Sequence, residues 1–272
     1  MTRPSWDERA ARAEELAGAY TFASELLRFY ATLLRFQKSI HERLETSFKP
    51  AAKGKLKGLP VTPPDLPLLL PALPALIRLV QQNGPAPLAE FANDCAQEGS
   101  EHWAGLLTRY WQARGSGAAQ GFDPGTAFFA RAFLEPYAEW LAGSAELPLA
   151  DHALAECPFC QSRPQVGVLR PEGDGGKRFL ICSFCGTEWE YRRILCPACG
   201  EADPHKLPVY TASEFDYIRV EACQTCNTYI KTVDLTKNGL AVPVVDELAT
   251  PPLDLWACEK NYTKLQANLL GI

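Results

Sequence analysis

Hydrophobic positions recur at steps of mostly three or four over residues 5–48. Leu16, Tyr20, Ala23, Leu27, Tyr30, Leu34, Phe36, Ile40, Leu44 and Phe48 form the stripe, with Glu and Arg between them. That period predicts one long amphipathic helix or a helical hairpin, ended by Pro50. The stretch that follows, AAKGKLKGLPVTPPDLP, has the Gly, Pro and Lys content of a linker or surface loop. Shorter helices are predicted over 71–82, stopped by Asn83-Gly84, over 88–98, stopped by Gly99, and over 100–113, where Ser100 is a suitable N-cap. GSGAAQGFDPG then reads as a mobile segment, and 126–142 as a helix that Pro136 should kink or break. Trp103, Trp111, Phe128, Phe133 and Trp140 are the expected core of this helical part.

The period changes at Cys157. RFLIC (178–182), FDYIRVEAC (215–223) and TYIKTVDL (228–235) are β-rich runs between turn residues, and the amphipathic segment 254–270 should return to helix. The predicted fold class is α+β and multidomain: an N-terminal all-helical domain, two tandem four-cysteine ribbon (rubredoxin-like) β units, and a C-terminal helix. The corresponding divisions are 1–155, 156–194, 195–242 and 243–272.

Cysteine usage makes those β runs more specific. Eight of the ten cysteines form Cys-x-x-Cys pairs, at 157/160, 182/185, 196/199 and 223/226. The pairs repeat as two units: Cys157-Pro-Phe-Cys160 closes on Cys182-Ser-Phe-Cys185-Gly-Thr, and Cys196-Pro-Ala-Cys199 closes on Cys223-Gln-Thr-Cys226-Asn-Thr. In Cys-x-x-Cys the chain turns back on itself, so both sulfurs reach one ion at about 2.3 Å, and two such turns joined by a hairpin surround it tetrahedrally. The candidate metal ligands are therefore Cys157, Cys160, Cys182, Cys185, Cys196, Cys199, Cys223 and Cys226.

The turn often needs positive φ after the second cysteine, which suits Gly186, Gly200 and Asn227 and does not suit Gln161, so the first turn is expected to differ. Two pairings are compatible with the spacing. The repeat favours a sequential one, 157/160 with 182/185 and 196/199 with 223/226. The alternative is a cross-brace joining 157/160 to 196/199. A tetrahedron of sulfur suits zinc or iron, and the ligand set does not choose between them. Units this small hold together poorly without metal, so chelation is expected to unfold the C-terminal half first.

Composition limits the other readings. The 272-residue chain carries a formal net charge of −5, and neither half is basic: 15 Lys/Arg face 18 Asp/Glu before Cys157, and 12 face 14 from there on. The cysteine region 157–231 balances nine against nine, poor footing for a phosphate-tracking surface, so a zinc-ribbon nucleic-acid binder is the weakest reading. The longest apolar run, 66–77, contains three prolines and is too short to span a bilayer. The N-terminus has no apolar signal core, and a cytoplasmic location is expected. Cys95 and Cys258 stand alone, His41, His102, His152 and His205 are scattered, and no phosphate loop, nucleophile elbow or His-Glu-x-x-His motif occurs. No catalytic residue and no organic-cofactor site is predicted.

The region after Cys157 resembles the formate dehydrogenase accessory protein family, FdhE. The resemblance rests on the four pairs in order, Cys185-Gly-Thr-Glu-Trp-Glu-Tyr-Arg-Arg193, and Glu221-Ala-Cys-Gln-Thr-Cys-Asn-Thr-Tyr-Ile-Lys231. It continues through Val245-Asp-Glu-Leu-Ala-Thr250, Leu253-Asp-Leu-Trp-Ala257 and Leu265-Gln-Ala-Asn-Leu-Leu270. It implies a cytoplasmic, non-enzymatic helper that binds the catalytic subunit of formate dehydrogenase during maturation. It also implies rubredoxin-like iron sites held by the eight paired cysteines, two metal ions per chain, with zinc the other option. The expected partner is that subunit, with neither nucleic acid nor membrane, and a homodimer is an assembly the sequence permits. An electron-transfer protein serving the same client is the runner-up.

Overall fold

The first apolar stripe folds as a hairpin of two helices, α1 (Trp6–Ala19) and α2 (Ser24–Ser47), in a computed structural model that describes residues 3–47, 56–63, 65–114, 121–145, 153–172 and 175–272. Phe48, Pro50, residues 51–55 of the predicted linker, 115–120 of the predicted mobile segment and His152 lie outside the described residues. Ser5 starts α1 with a capping box: its side chain accepts from the Glu8 N–H while the Glu8 carboxylate accepts from the Ser5 N–H. Tyr20 leaves the helical region (φ −114°, ψ 90°), and one tight turn over Thr21–Ala23 reverses the chain.

Five further helices complete the helical part: α3 (Leu66–Leu69), α4 (Leu73–Asn83), α5 (Ala86–Cys95), α6 (Ser100–Ala113) and α7 (Pro124–Ala142). Gly84 stops α4 as predicted; its N–H bonds to the Val80 carbonyl at 2.8 Å, and an added Cβ would lie 2.6 Å from that oxygen. α5 starts two residues earlier than the pattern suggested, because Pro87 sits in the first turn, where its missing N–H costs no helical bond.

Of the kink or break expected at Pro136, the break does not occur: α7 runs on through it. A proline leaves the carbonyl four residues back without its helical donor. Here that carbonyl belongs to Ala132, and Gln37 of α2, buried at 1% exposure, donates to it from Nε2 at 3.0 Å.

From Cys157 onward the chain forms a seven-stranded sheet: β1 (Pro164–Glu172), β2 (Gly175–Cys182), β3 (Glu188–Glu190), β4 (Val209–Thr211), β5 (Ile218–Cys223), β6 (Thr228–Asp234) and β7 (Thr263–Lys264). The order is β3-β2-β1-β6-β5-β4, with β7 also on β6. β1–β2 and β5–β6 are the antiparallel hairpins of the two repeats. They join through a parallel pairing of β1 with β6 (Gly167↔Thr232, Val168↔Val233, Leu169↔Asp234), so the strands of both units make one sheet. Gly167 is required at the junction: an added Cβ would lie 2.3 Å from Thr232 Oγ1.

The predicted helix over 254–270 is corrected. Two short helices, α8 (Pro243–Leu248) and α9 (Pro251–Glu259), precede a non-helical tail. Asn261 takes φ +63° and ends the helix. The tail then pairs with β6: the Thr263 and Leu265 N–H groups donate to the Asn227 and Tyr229 carbonyls at 2.8 and 2.9 Å. Leu265 and Leu269, which sit at helical spacing, are buried by this pairing instead.

One apolar core runs from the helices into the sheet. Trp111, Phe129 and Tyr137 share it with Phe159, Leu180 and Phe184. Of the five predicted core aromatics, Trp103, Trp111, Phe128 and Phe133 are buried and Trp140 is partly so. A second core packs Val166, Val168, Ile218, Val220 and Val233 against Leu253 and Ala257 of α9.

Candidate metal centres

Each Cys-x-x-Cys pair sits on a turn of the same construction. The N–H of the first cysteine donates to the carbonyl five residues on, from Cys157 to Ser162 (2.9 Å), Cys182 to Thr187 (2.9 Å) and Cys196 to Glu201 (2.8 Å); the fourth turn closes where Cys223 pairs with Thr228. The residue after the second cysteine has positive φ in all four: Gln161 (64°), Gly186 (62°), Gly200 (77°) and Asn227 (55°). Gln161 therefore does what a Gly or Asn was expected to do. A side chain in this region costs only about 1–2 kcal/mol, which the surrounding turn offsets.

The turns bring the cysteines together in sequential pairs. Cys157, Cys160, Cys182 and Cys185 form one cluster, and Cys196, Cys199, Cys223 and Cys226 the other, with the sulfurs of each all within 4.8 Å of one another. Across the first cluster Cys157–Cys185 and Cys160–Cys182 are 3.5 and 3.3 Å apart; across the second, Cys196–Cys226 and Cys199–Cys223 are both 3.7 Å. Four sulfurs at about 2.3 Å from one ion would be about 3.8 Å apart, so the donor set fits a tetrahedral metal. Each cluster can hold one ion. The cross-braced alternative has no counterpart in this geometry.

Polar hydrogens surround the sulfurs. The Phe184 N–H donates to Cys182 Sγ at 3.3 Å and the Ala198 N–H to Cys196 Sγ at 3.4 Å. The threonine two residues past each closing cysteine lies beside that sulfur: the Thr187 hydroxyl is 3.1 Å from Cys185 Sγ, and the Thr228 hydroxyl accepts from the Cys226 thiol at 3.3 Å while donating to the Cys226 carbonyl. Sequence reasoning assigned these threonines no role, although the repeated Cys-Gly-Thr and Cys-Asn-Thr marked them. Burial pushes the Cys182 and Cys185 thiols well up, and the sulfurs of Cys157 and Cys160 act in the same direction. Hydrogen bonds from Cys157, Cys182 and Cys185 hold Cys160 well below its ordinary value, so the cluster shares its protons unequally; ionising Cys182 and Cys185 needs a cation beside them, and a metal loading the cluster displaces protons.

A buried charge network joins the sheet to the two C-terminal helices. Lys231 on β6, fully buried, meets Asp254 of α9 at 2.5 Å and Glu247 of α8 at 3.1 Å. Lys264 on β7 pairs with the same two carboxylates, and the Tyr229 hydroxyl donates to Asp254 at 2.7 Å. The adjacent Asp246 accepts two bonds from Arg12 of α1 and one from the Tyr217 hydroxyl, tying the helical hairpin to the sheet. Tyr-Ile-Lys and Asp-Glu-Leu-Ala-Thr, separate motifs in the sequence, thus meet as the two halves of one network.

The remaining candidates stand apart. Cys95 is buried in the helical core, where burial raises its thiol to about 12, and Cys258 is exposed on α9. Among the described histidines, His41 lies near Glu45 of its own helix, His102 near Glu98 just before α6, and His205 is exposed; none joins a cysteine cluster.

The class of protein is defined by a helical part joined to one sheet that carries two four-cysteine clusters, each able to hold a metal ion. Residues 156–193 match the model "FdhE, central domain" and 182–270 match "FdhE, C-terminal domain". A "Protein FdhE homolog" from Aquifex aeolicus is 39% identical over 145 residues, 53% of this chain and 51% of that one. Another, from Pseudomonas aeruginosa, is 33% identical over 152 residues, covering 53% and 48% of the two chains. The chain spans about half the length of these curated relatives. The crystal structure of the FdhE protein from Pseudomonas aeruginosa superposes with a TM-score of 0.72 over 99% of this chain and 97% of that one, at 24% identity, so the shared fold extends through the helical part. Over residues 156–270 the chain thus matches the FdhE family, and its fold is that of an FdhE protein.

Proposed function

We propose that this protein is a cytoplasmic accessory factor that binds the catalytic subunit of formate dehydrogenase and assists its maturation. Each cysteine cluster holds one metal ion, ligated by Cys157, Cys160, Cys182 and Cys185 in one and by Cys196, Cys199, Cys223 and Cys226 in the other. The observation that carries this reading is the presence of two complete four-sulfur clusters within FdhE-family sequence. The metal, when bound, supplies either a redox-inert staple (zinc) or a one-electron couple (iron). The chain's own contribution is to neutralise and shelter the thiolates with backbone N–H groups and the Thr187 hydroxyl. No helix among the described residues is long and apolar enough to cross a membrane, in keeping with action away from the bilayer.

Anaerobic capture of the tagged protein tests the reading. The immature catalytic subunit should co-purify, the protein alone should not oxidise formate, and a strain lacking it should lose formate dehydrogenase activity. Full activity in that strain would overturn the proposal. One observation favours the electron-transfer version: Cys199 is exposed, which brings the second cluster to the surface. Iron-loaded protein would then show a reversible couple with thiolate-to-iron absorption, whereas colourless protein with two zinc ions would rule it out.

A further inference from the structure

The two clusters share one turn geometry and differ in what covers them. At the first, Cys157, Cys160, Cys182 and Cys185 are 1, 4, 3 and 0% exposed. Both of its turns are bound by the helical part. The Leu59 N–H donates to the Phe159 carbonyl at 3.2 Å, and Arg131 of α7 donates to the Ser183 carbonyl at 3.0 Å. Phe184, inside the second turn, packs edge-on against Trp111 with ring centroids 5.7 Å apart. The Gly186 position is roofed: a Cβ there would meet the Arg3 guanidinium at 3.3 Å and Glu139 at 3.5 Å.

The second cluster has no such cover. Cys199 is exposed and Cys226 half-buried. A Cβ built on Gly200, the equivalent of Gly186, would meet nothing within 4 Å. Its two buried members, Cys196 and Cys223, line a cleft of ≈ 440 Å³ whose walls include Ile194, Leu195, Pro197 and Val209. Ile194 and Val209 are themselves 50 and 53% exposed, so the cleft opens to solvent. The second cluster is thus reached at the exposed Cys199 edge and through the cleft, whereas the smaller pocket beside the first cluster, ≈ 310 Å³, meets only Cys160 among its ligands, at 4% exposure.

We propose that the second cluster is an exchange site, at which Cys199 is the ligand that gives way to an incoming soft donor, a thiolate or a chelating ligand, and that the first cluster is a permanent staple. This inference rests on the reading that both clusters hold metal. In the exchange step the incoming donor's electron pair forms a bond to the metal while the Cys199–metal bond breaks. The Cys199 sulfur leaves with that bond's electron pair and takes a proton from water; the oxidation state of the metal is unchanged. The difference in cover sets the rate. A released Cys199 thiolate stays hydrated, whereas one released in the first cluster would be a buried, unpaired charge. Substitution at the first cluster therefore has to wait for the helical part to lift from the sheet.

The test uses the full chain, purified anaerobically, with its metal counted by mass spectrometry and its helicity recorded by circular dichroism. Excess 4-(2-pyridylazo)resorcinol is added under native conditions, and cysteine labelling by N-ethylmaleimide is followed in parallel by peptide mapping. One equivalent of metal should leave at least about tenfold faster than the other. Among the cluster cysteines, Cys199 should be labelled first and Cys226 next, with Cys157, Cys160, Cys182 and Cys185 protected until the protein unfolds; the exposed, unligated Cys258 is labelled from the start. Cys199→Ser should keep native helicity and retain one tightly held equivalent. Release of both equivalents at one rate, or labelling of the first cluster ahead of Cys199, would overturn the exchange site while leaving the metal reading intact. Protein that binds no metal at all would overturn the underlying reading instead.

Discussion

Gln37 donates from Nε2 to the carbonyl of Ala132, 3.0 Å away, and this is the carbonyl that Pro136 leaves without a helical donor. One side chain of α2 thereby satisfies the carbonyl that the proline orphans in α7. Gln37→Leu should cost about 1–3 kcal/mol, the usual penalty for orphaning a buried acceptor. In a Pro136→Ala background the new N–H can serve Ala132 itself, so the same substitution should cost clearly less. Urea denaturation of the four proteins measures the difference; equal costs in both backgrounds would show that the bond is incidental.

The union of the two repeats depends on Gly167. Gly167→Ala places a methyl group 2.3 Å from Thr232 Oγ1, a hydroxyl that is buried and has no hydrogen-bond partner. The strands must separate or distort, at about 1–3 kcal/mol. Thr232→Ala removes the obstructing atoms, so the double variant should recover most of that loss. A double variant no more stable than Gly167→Ala alone would place the strain elsewhere.

The pattern of success in the sequence reading follows from how local each feature is. The four turns were legible because Cys-x-x-Cys spacing, the repeat and the trailing Gly or Asn all lie within a few residues of one another. Gln161 was misjudged because left-handed backbone is an energetic preference, and a closed turn can outweigh it. Leu265 and Leu269 gave a helical period, yet the tail is held by β6, a partner more than thirty residues away in sequence. The β1–β6 pairing and the Lys231–Glu247–Asp254 network join segments with no mark of each other in the chain. The repair of Pro136 likewise depends on a residue 99 positions earlier.

The cover over the first cluster changes the expected response to chelation. The small size of the metal units alone predicts that the C-terminal half unfolds first. The Arg131–Ser183, Leu59–Phe159 and Phe184–Trp111 contacts make the first cluster part of the helical core as well. Removing its metal should therefore loosen both halves together. Helical dichroism and tryptophan fluorescence, followed through a thermal melt with a strong chelator, should fall at one temperature below that of the loaded protein. Two separated transitions would contradict this coupling.

Acid should act on the buried Lys231–Glu247–Asp254 network. Burial alone would push the Glu247 carboxyl up, but the ammonium groups of Lys231 and Lys264 more than offset it and hold it at about 2, below its ordinary 4.5. As pH falls, the unfolded chain takes up that proton before the folded one. The stabilisation is complete above about pH 4.5 and is lost on the way to pH 2. Glu247→Gln leaves two buried cations short of a partner and should cost about 3–5 kcal/mol at neutral pH. Its deficit relative to the unsubstituted protein should shrink as pH drops through that window. A deficit constant across the window would mean that Glu247 is not charged in the native protein.

The central claim is that both cysteine clusters are metal centres, and X-ray absorption on anaerobically prepared protein tests it most directly. The account predicts two metal ions per chain, each with four sulfur neighbours at about 2.3 Å and no nitrogen or oxygen in the coordination shell. Fewer than one ion per chain, or a shell containing nitrogen or oxygen ligands, would contradict it.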